Sequence, residues 1–210
     1  VALIGFAGAA WTVACYMVEG GASCEFPRVR AWRRERPAEM QALIDTLSEI
    51  TATHLIAQAD AGADVLQLFD SWAGVLGEAD FERWCIAPTA RIVREVKRAH
   101  PHIPIIGFPN KAGPLYVAYA ARTGVDAVSI DSTVPLRWAA GELQSYCAVQ
   151  GNLDPYVLLS GGASLRDQAR SIISVLGRGP FVFNLGHGIL PQTPPEHVGE
   201  LADVVRAWGS

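Results

Sequence analysis

Cysteine is scarce: the chain of 210 residues has four, Cys15, Cys24, Cys85 and Cys147, and no two form a CxxC pair. Without that spacing, and without a His-x-Cys, neither a zinc cluster nor a disulfide framework is indicated; reduced thiols in a cytosol fit best. Lys/Arg runs interleaved with aromatics are also missing, and 17 basic against 21 acidic residues leave a formal net charge of −4. That balance offers nucleic acid no footprint. It would also repel a polyanion unless basic groups are placed locally. Charge is absent from the first 18 residues, VALIGFAGAAWTVACYMV, a run that just reaches membrane-spanning length. Gly5 and Gly8 argue against a span, and no basic segment precedes the run as a secretory signal requires. A strand, a glycine turn and a short helix from Trp11 account for it as buried core. No GxGxxG follows the first strand, and neither GxxxxGK[ST] nor GxSxG occurs, which counts against nucleotide-binding folds and serine hydrolases.

What is present is a globular composition, 50% apolar and 18% charged, enough for one sizeable core. Apolar runs of strand length recur: LIGFAG (3–8), DVLQLFD (64–70), IPIIGFP (103–109), DAVSID (126–131), AVQGNLD (148–154) and FVFNLG (181–186). They are continuous rather than alternating, as in strands covered on both faces. Helical stretches lie between them. Residues 37–60 run from Pro37 to a stop at Gly62, and residues 80–99 carry Phe81, Trp84, Ile92, Val93 and Val96 close to helical spacing. Residues 164–176 open with SLRD, in which Ser164 caps and Asp167 answers it; residues 193–207 open with TPPE in the same way.

One junction repeats: AGADVLQL (61–68) and TGVDAVSI (123–130) both read helix, glycine, one residue, Asp, strand. Repeated βα units point to a closed (β/α) barrel or an open doubly wound sheet, and the missing nucleotide fingerprints favour the barrel. The fold class is therefore α/β, a (β/α)8 TIM-type barrel, with residues 1–210 as a single domain. A closed barrel has eight strands and typically about 250 residues; six strands predict two further units before Val1. An unclosed barrel exposes parallel edges and is expected to be poorly stable alone.

In such a barrel, ligand groups gather where strands end. Those ends supply Phe6, Phe69, Asp70, Ser71, Asn110, Lys111, Asp131, Ser132, Asn152, Asp154, Asn184 and His187. His187, between Gly186 and Gly188, can present an imidazole to an anion; the plainer alternative is a structural histidine. Ser71 donates to a carboxylate or merely caps a turn, with Asp70 a second cap. Tyr16, among Trp11, Val13 and Met17, is packed core or a ligand whose hydroxyl needs a partner. Lys111 is an anion contact or a solvated loop residue. Asp131 and Asp154 are an acid–base pair or ordinary caps. A metal site has less support than any of these.

Several stretches together, LIGFAGAAWTVACYMVEGG, LQLFDSWAG, GFPNKAG, WAAGELQ with VQGNLDP, and NLGHGILPQTPPEHV, resemble the uroporphyrinogen decarboxylase family from about its third barrel strand to its C-terminus. The resemblance implies a cytoplasmic (β/α) barrel, usually a homodimer, acting on a small-molecule substrate. It removes carbon dioxide from the four acetate side chains of uroporphyrinogen III, giving coproporphyrinogen III in haem biosynthesis, with no metal or organic cofactor. Family residues that bind substrate carboxylates match Tyr16, Ser71 and His187, and Phe69 matches a cleft-lining position. GAAW stands where GAPW is common. The family's RQAGRY segment and its catalytic aspartate lie in earlier strands with no counterpart here, so the chain alone is expected to be inactive. Three alternatives stand beside this one. A cobalamin-linked methyltransferase of the same superfamily would need a zinc ligand set, and His187 has no nearby Cys. A non-catalytic porphyrin-binding fragment would fit the missing segment. A phosphate-binding barrel isomerase would rest on the GHG loop.

Overall fold

The structure is a computed structural model that describes residues 2–21, 23 and 25–208; Cys24 and Val1 lie outside them. The chain divides into two compact units, Val1–Ala127 and Val128–Ser210. The first contains β1 (Ile4–Gly8), α1 (Ala10–Glu19), α2 (Pro27–Glu35), α3 (Pro37–Asp60), β2 (Val65–Asp70), α4 (Glu78–Phe81), α5 (Ala87–Ala99), β3 (Ile105–Pro109) and α6 (Tyr116–Thr123). The second contains α7 (Leu136–Glu142), β5 (Ala148–Leu153), α8 (Pro155–Ser160), α9 (Gly162–Leu176), β6 (Phe181–Leu185) and α10 (Pro195–Arg206), with β4 (Ala127–Ser129) at its start.

In the first unit the strands run β1-β2-β3, each pair parallel. In the second they run β4-β5-β6, with β5 and β6 parallel. Helices return the chain each time, as parallel pairing demands. All six expected strands are present, β4 shorter than DAVSID suggested. α3 fills 37–60 as read, and Pro37 serves as an N-terminal helical residue whose missing N–H costs nothing there. The 80–99 stretch is α4, a π-helical turn (Glu82–Ile86) and α5 in succession. On α5 the residues Thr89, Ile92, Val93 and Val96 are buried. That i, i+3, i+4, i+7 stripe is what an amphipathic helix turns inward, and a buried Ile or Val contributes about 2 kcal/mol.

The repeated junction has a mechanical reason. Gly62 and Gly124 take the left-handed backbone that ends a helix. The following Asp64 and Asp126 then tie the chain to the base of a neighbouring strand, through Leu3 and Ile105.

Two expected capping boxes are not formed. α9 begins earlier than read, at Gly162, so Ser164 lies inside the first turn and accepts from Gln168 instead of capping. α10 starts at Pro195 after Pro194 with no side-chain cap, and the Thr193 hydroxyl is buried without a partner.

Within the first unit β1 has one neighbour and exposes Ile4 and Phe6; within the second β6 leaves Val182 exposed. Among the described residues no helix is long and apolar enough to cross a membrane.

Candidate functional site

Strand alternation sorts the residues at the end of β2. Leu66, Leu68 and Asp70 share one face. Leu66 closes on Gly5 beneath α3, where a Cβ would meet Gln58 and the Leu66 side chain, so this is the helix-covered face. Ser71 opens the turn that follows the strand, and Phe69 belongs to the other face. There the rings of Phe6 and Phe69 meet edge to face at 5.9 Å, and those of Phe69 and Phe108 at 6.0 Å. Three strands thus build a ladder of phenylalanines, with Phe6 63% exposed. Ser71 follows Phe69 by two residues, at the strand end where barrels bind ligands.

α1 brings the second hydroxyl. Its Ala10, Trp11, Thr12, Ala14 and Cys15 are buried, whereas Tyr16 is 42% exposed. Tyr16 is therefore not core. Its ring packs against Trp72 with centroids 6.0 Å apart, one residue after Ser71. Among the described residues neither the Tyr16 nor the Ser71 hydroxyl is engaged in a hydrogen bond.

The Ser71 backbone is held through its neighbours. Asn110 Nδ2 donates to the Ser71 carbonyl at 3.1 Å, and Trp11 Nε1 donates to the Trp72 carbonyl at 3.0 Å. Thr12 Oγ1 donates to Asp70 Oδ1 at 2.6 Å and accepts from Trp72 N at 3.2 Å. Asp70, expected as a cap, is instead 1% exposed under the helices. Burial pushes its carboxyl up to about 6, partly opposed by hydrogen bonds from Thr12 and Cys85. Burial, and next the Asp70 charge, raises the Cys15 and Cys85 thiols, so neither supplies a thiolate nucleophile at neutral pH.

The second unit carries His187. Gly186 N donates to the Leu153 carbonyl at 2.8 Å, and a Cβ on Gly186 would lie 2.4 Å from Ser132 N, so only glycine fits the approach. His187 is exposed, and its Nδ1 accepts from Gly188 N at 2.7 Å. In the neutral ring this contact fixes the proton on Nε2, the nitrogen suited to donate to an anion. Asp154 caps α8 by accepting from Tyr156 N. Asp131 accepts from the backbone and hydroxyl of Thr133, while Asn152 donates to the Asp131 and Val134 carbonyls. Both aspartates thus act as local caps. Asn184 accepts from Leu185 N, Ser132 is exposed, and exposed Lys111 has a left-handed backbone at φ 59°.

Tyr16, Phe69 and Ser71 therefore gather in one unit, and His187 stands in the other. Sequence reasoning did not single out Thr12 or Trp72. The only signal for the Asp70 environment was parity with Leu66 and Leu68.

A sequence model described as "Uroporphyrinogen decarboxylase (URO-D)" matches residues 1–208. The curated uroporphyrinogen decarboxylase of Rhodospirillum rubrum is 53% identical over 206 residues, covering 98% of this chain and 59% of the relative. That of Granulibacter bethesdensis is 50% identical over 204 residues, covering 97% and 60%. This chain therefore spans about 60% of the length of the relatives it matches. Among solved structures, a methyltransferase from Methanosarcina mazei superposes with a TM-score of 0.83 at 19% identity, over 100% of this chain and 60% of that one. That likeness shows the fold alone, and the fold is the α/β, TIM-type one read from the sequence, with six strands present. With the family match running over nearly every residue, the chain belongs to the uroporphyrinogen decarboxylase family.

Proposed function

We propose that the protein carrying this chain decarboxylates the four acetate arms of uroporphyrinogen III to give coproporphyrinogen III, without a cofactor. The observation that carries this reading is the grouping of an exposed tyrosine, Tyr16, on the Trp72 ring with the half-buried Ser71 next to Trp72 and two residues beyond Phe69 of the Phe6–Phe69–Phe108 ladder. A porphyrinogen offers the matching chemistry, an apolar macrocycle rimmed by carboxylates.

In each cycle the bond between the acetate methylene and its carboxylate breaks. The electron pair flows into a pyrrole ring protonated on carbon, carbon dioxide leaves, a proton on the methylene completes a methyl group, and the ring carbon gives up its added proton to restore the pyrrole. The ring is its own electron sink, so the protein must orient the substrate and favour positive charge as it develops on the ring. Tyr16 and Ser71 hold carboxylates through hydroxyl donors, and His187 does so through Nε2. Phe69 lines the cleft. The groups that stabilise the cation and add basic charge for an octa-acid are those of the family's RQAGRY segment and aspartate, outside this chain. We further propose a cytoplasmic homodimer.

The test joins this chain to the part of the Rhodospirillum rubrum relative that it does not cover, giving a completed protein. Anaerobic incubation with uroporphyrinogen III is expected to release four molecules of carbon dioxide per substrate. The 210-residue chain alone is expected to release none. Unchanged uroporphyrinogen after incubation with well-folded completed protein would refute the assignment.

A further inference from the structure

We propose that Thr12 and Asp70 form a positioning pair that sets the spacing between Tyr16 and Ser71; the inference rests on the decarboxylase reading of those two hydroxyls.

Thr12 and Tyr16 are four residues apart on α1 and so share a helix face. Asp70 and Trp72 flank Ser71. One hydroxyl joins both sets: Thr12 Oγ1 gives its proton to Asp70 Oδ1 at 2.6 Å and takes the Trp72 N–H at 3.2 Å. A threonine hydroxyl has one proton to donate, and here it is committed to the carboxylate, which fixes its lone pairs toward Trp72. The second bond between the same elements, from Trp11 Nε1 to the Trp72 carbonyl, prevents the loop from rotating about the first. Tyr16 closes the figure by resting on the Trp72 ring. Thr12 and Asp70 are buried, at 4% and 1% exposure, so they act on the substrate through Tyr16 and Ser71. An aspartate buried on the helix-covered face is costly, and a leucine there would continue the pattern of Leu66 and Leu68. The carboxylate is explained by the geometry it imposes rather than by core packing.

The test uses the completed protein, with rates referred to the folded fraction and melting temperatures measured alongside. Thr12→Val keeps the volume and removes the hydroxyl. It is expected to lower kcat/KM by ~5- to ~20-fold, mainly through KM, on the scale of weakening both hydroxyl anchors; Thr12→Ser is expected to restore it. On the Thr12→Val background, Tyr16→Phe is expected to cost less than it does alone, because the anchor is already displaced. Asp70→Ala gives the same readout by the other partner. Lower melting temperatures with kcat/KM per folded molecule unchanged would reduce the pair to a structural contact and overturn the proposal. So would a Thr12→Ser variant as impaired as Thr12→Val. If Tyr16→Phe and Ser71→Ala are themselves silent while the completed protein is active, the assignment of the anchors has failed and the proposal falls with it, which the first two outcomes do not imply.

Discussion

Asp64 and Leu3 clasp each other in both directions: the Asp64 N–H donates to the Leu3 carbonyl at 2.9 Å, and the Leu3 N–H donates to Asp64 Oδ2 at 2.7 Å. Asp126 and Ile105 repeat the arrangement at 2.9 Å and 2.8 Å. In each pair a helix-ending glycine delivers an aspartate whose carboxylate satisfies a backbone donor at the base of a strand. Asp64→Ala is expected to cost about 1 kcal/mol, the net worth of one such hydrogen bond, Asp126→Ala somewhat more because its carboxylate also pairs with Lys97 at 2.7 Å, and the asparagine variants less. The midpoint of urea unfolding of the completed protein checks this; no shift in either alanine variant would make the clasp incidental.

Asp70 gives the fold a pH dependence of definite sign. Its carboxyl is raised from 3.8 to about 6, so the native state holds the proton more tightly than the unfolded state does. The associated stability is present in full below about pH 4 and is lost as pH rises through about 6. Two pKa units correspond to about 3 kcal/mol. Asp70→Asn, which keeps an acceptor for Thr12, is expected to flatten the stability profile between pH 4 and 7. An unchanged slope in that variant would mean that Asp70 does not titrate there.

Gly186→Ala separates loop position from folding. Its Cβ would press on the Ser132 backbone at 2.4 Å, and neither backbone can yield without moving residues 186–188. Turnover is expected to fall by at least ~10-fold, the scale of a misplaced binding group, with a smaller relative change in melting temperature. Activity equal to the parent would show that the loop adjusts freely.

The anchors themselves are expected to differ in strength. Tyr16→Phe removes one hydroxyl from an exposed ring and is expected to weaken substrate binding by about 1 kcal/mol, roughly fivefold in KM, with stability unchanged. His187→Asn is expected to reduce turnover more than folding, since the residue is exposed in a glycine-flanked loop. Equal losses of folded protein and activity would count against His187 as an anchor.

The strands were legible because continuous apolar runs of this length have few other uses, and α3 because Pro37 and Gly62 mark its limits. The capping boxes failed for local reasons. Ser164 was displaced inward by an earlier helix start at Gly162, and α10 begins one residue later than the box requires, with Pro194 in the cap position and Thr193 outside it. Candidate positions at strand ends could be read, but their environments could not. Tyr16 looked like core among apolar neighbours because one-dimensional context does not say which face of α1 is covered. The Thr12–Asp70 bond joins residues 58 apart in sequence, and no local pattern encodes such a pairing.

The central claim is that Tyr16, Ser71 and His187 hold carboxylates of one substrate molecule. A crystal structure of the completed protein with coproporphyrinogen bound tests it most directly. The expected result is a single tetrapyrrole with carboxylate oxygens within about 3 Å of Tyr16 Oη, Ser71 Oγ and His187 Nε2, its ring against Phe69. A bound product that leaves any of the three heads facing solvent or a separate pocket would contradict it.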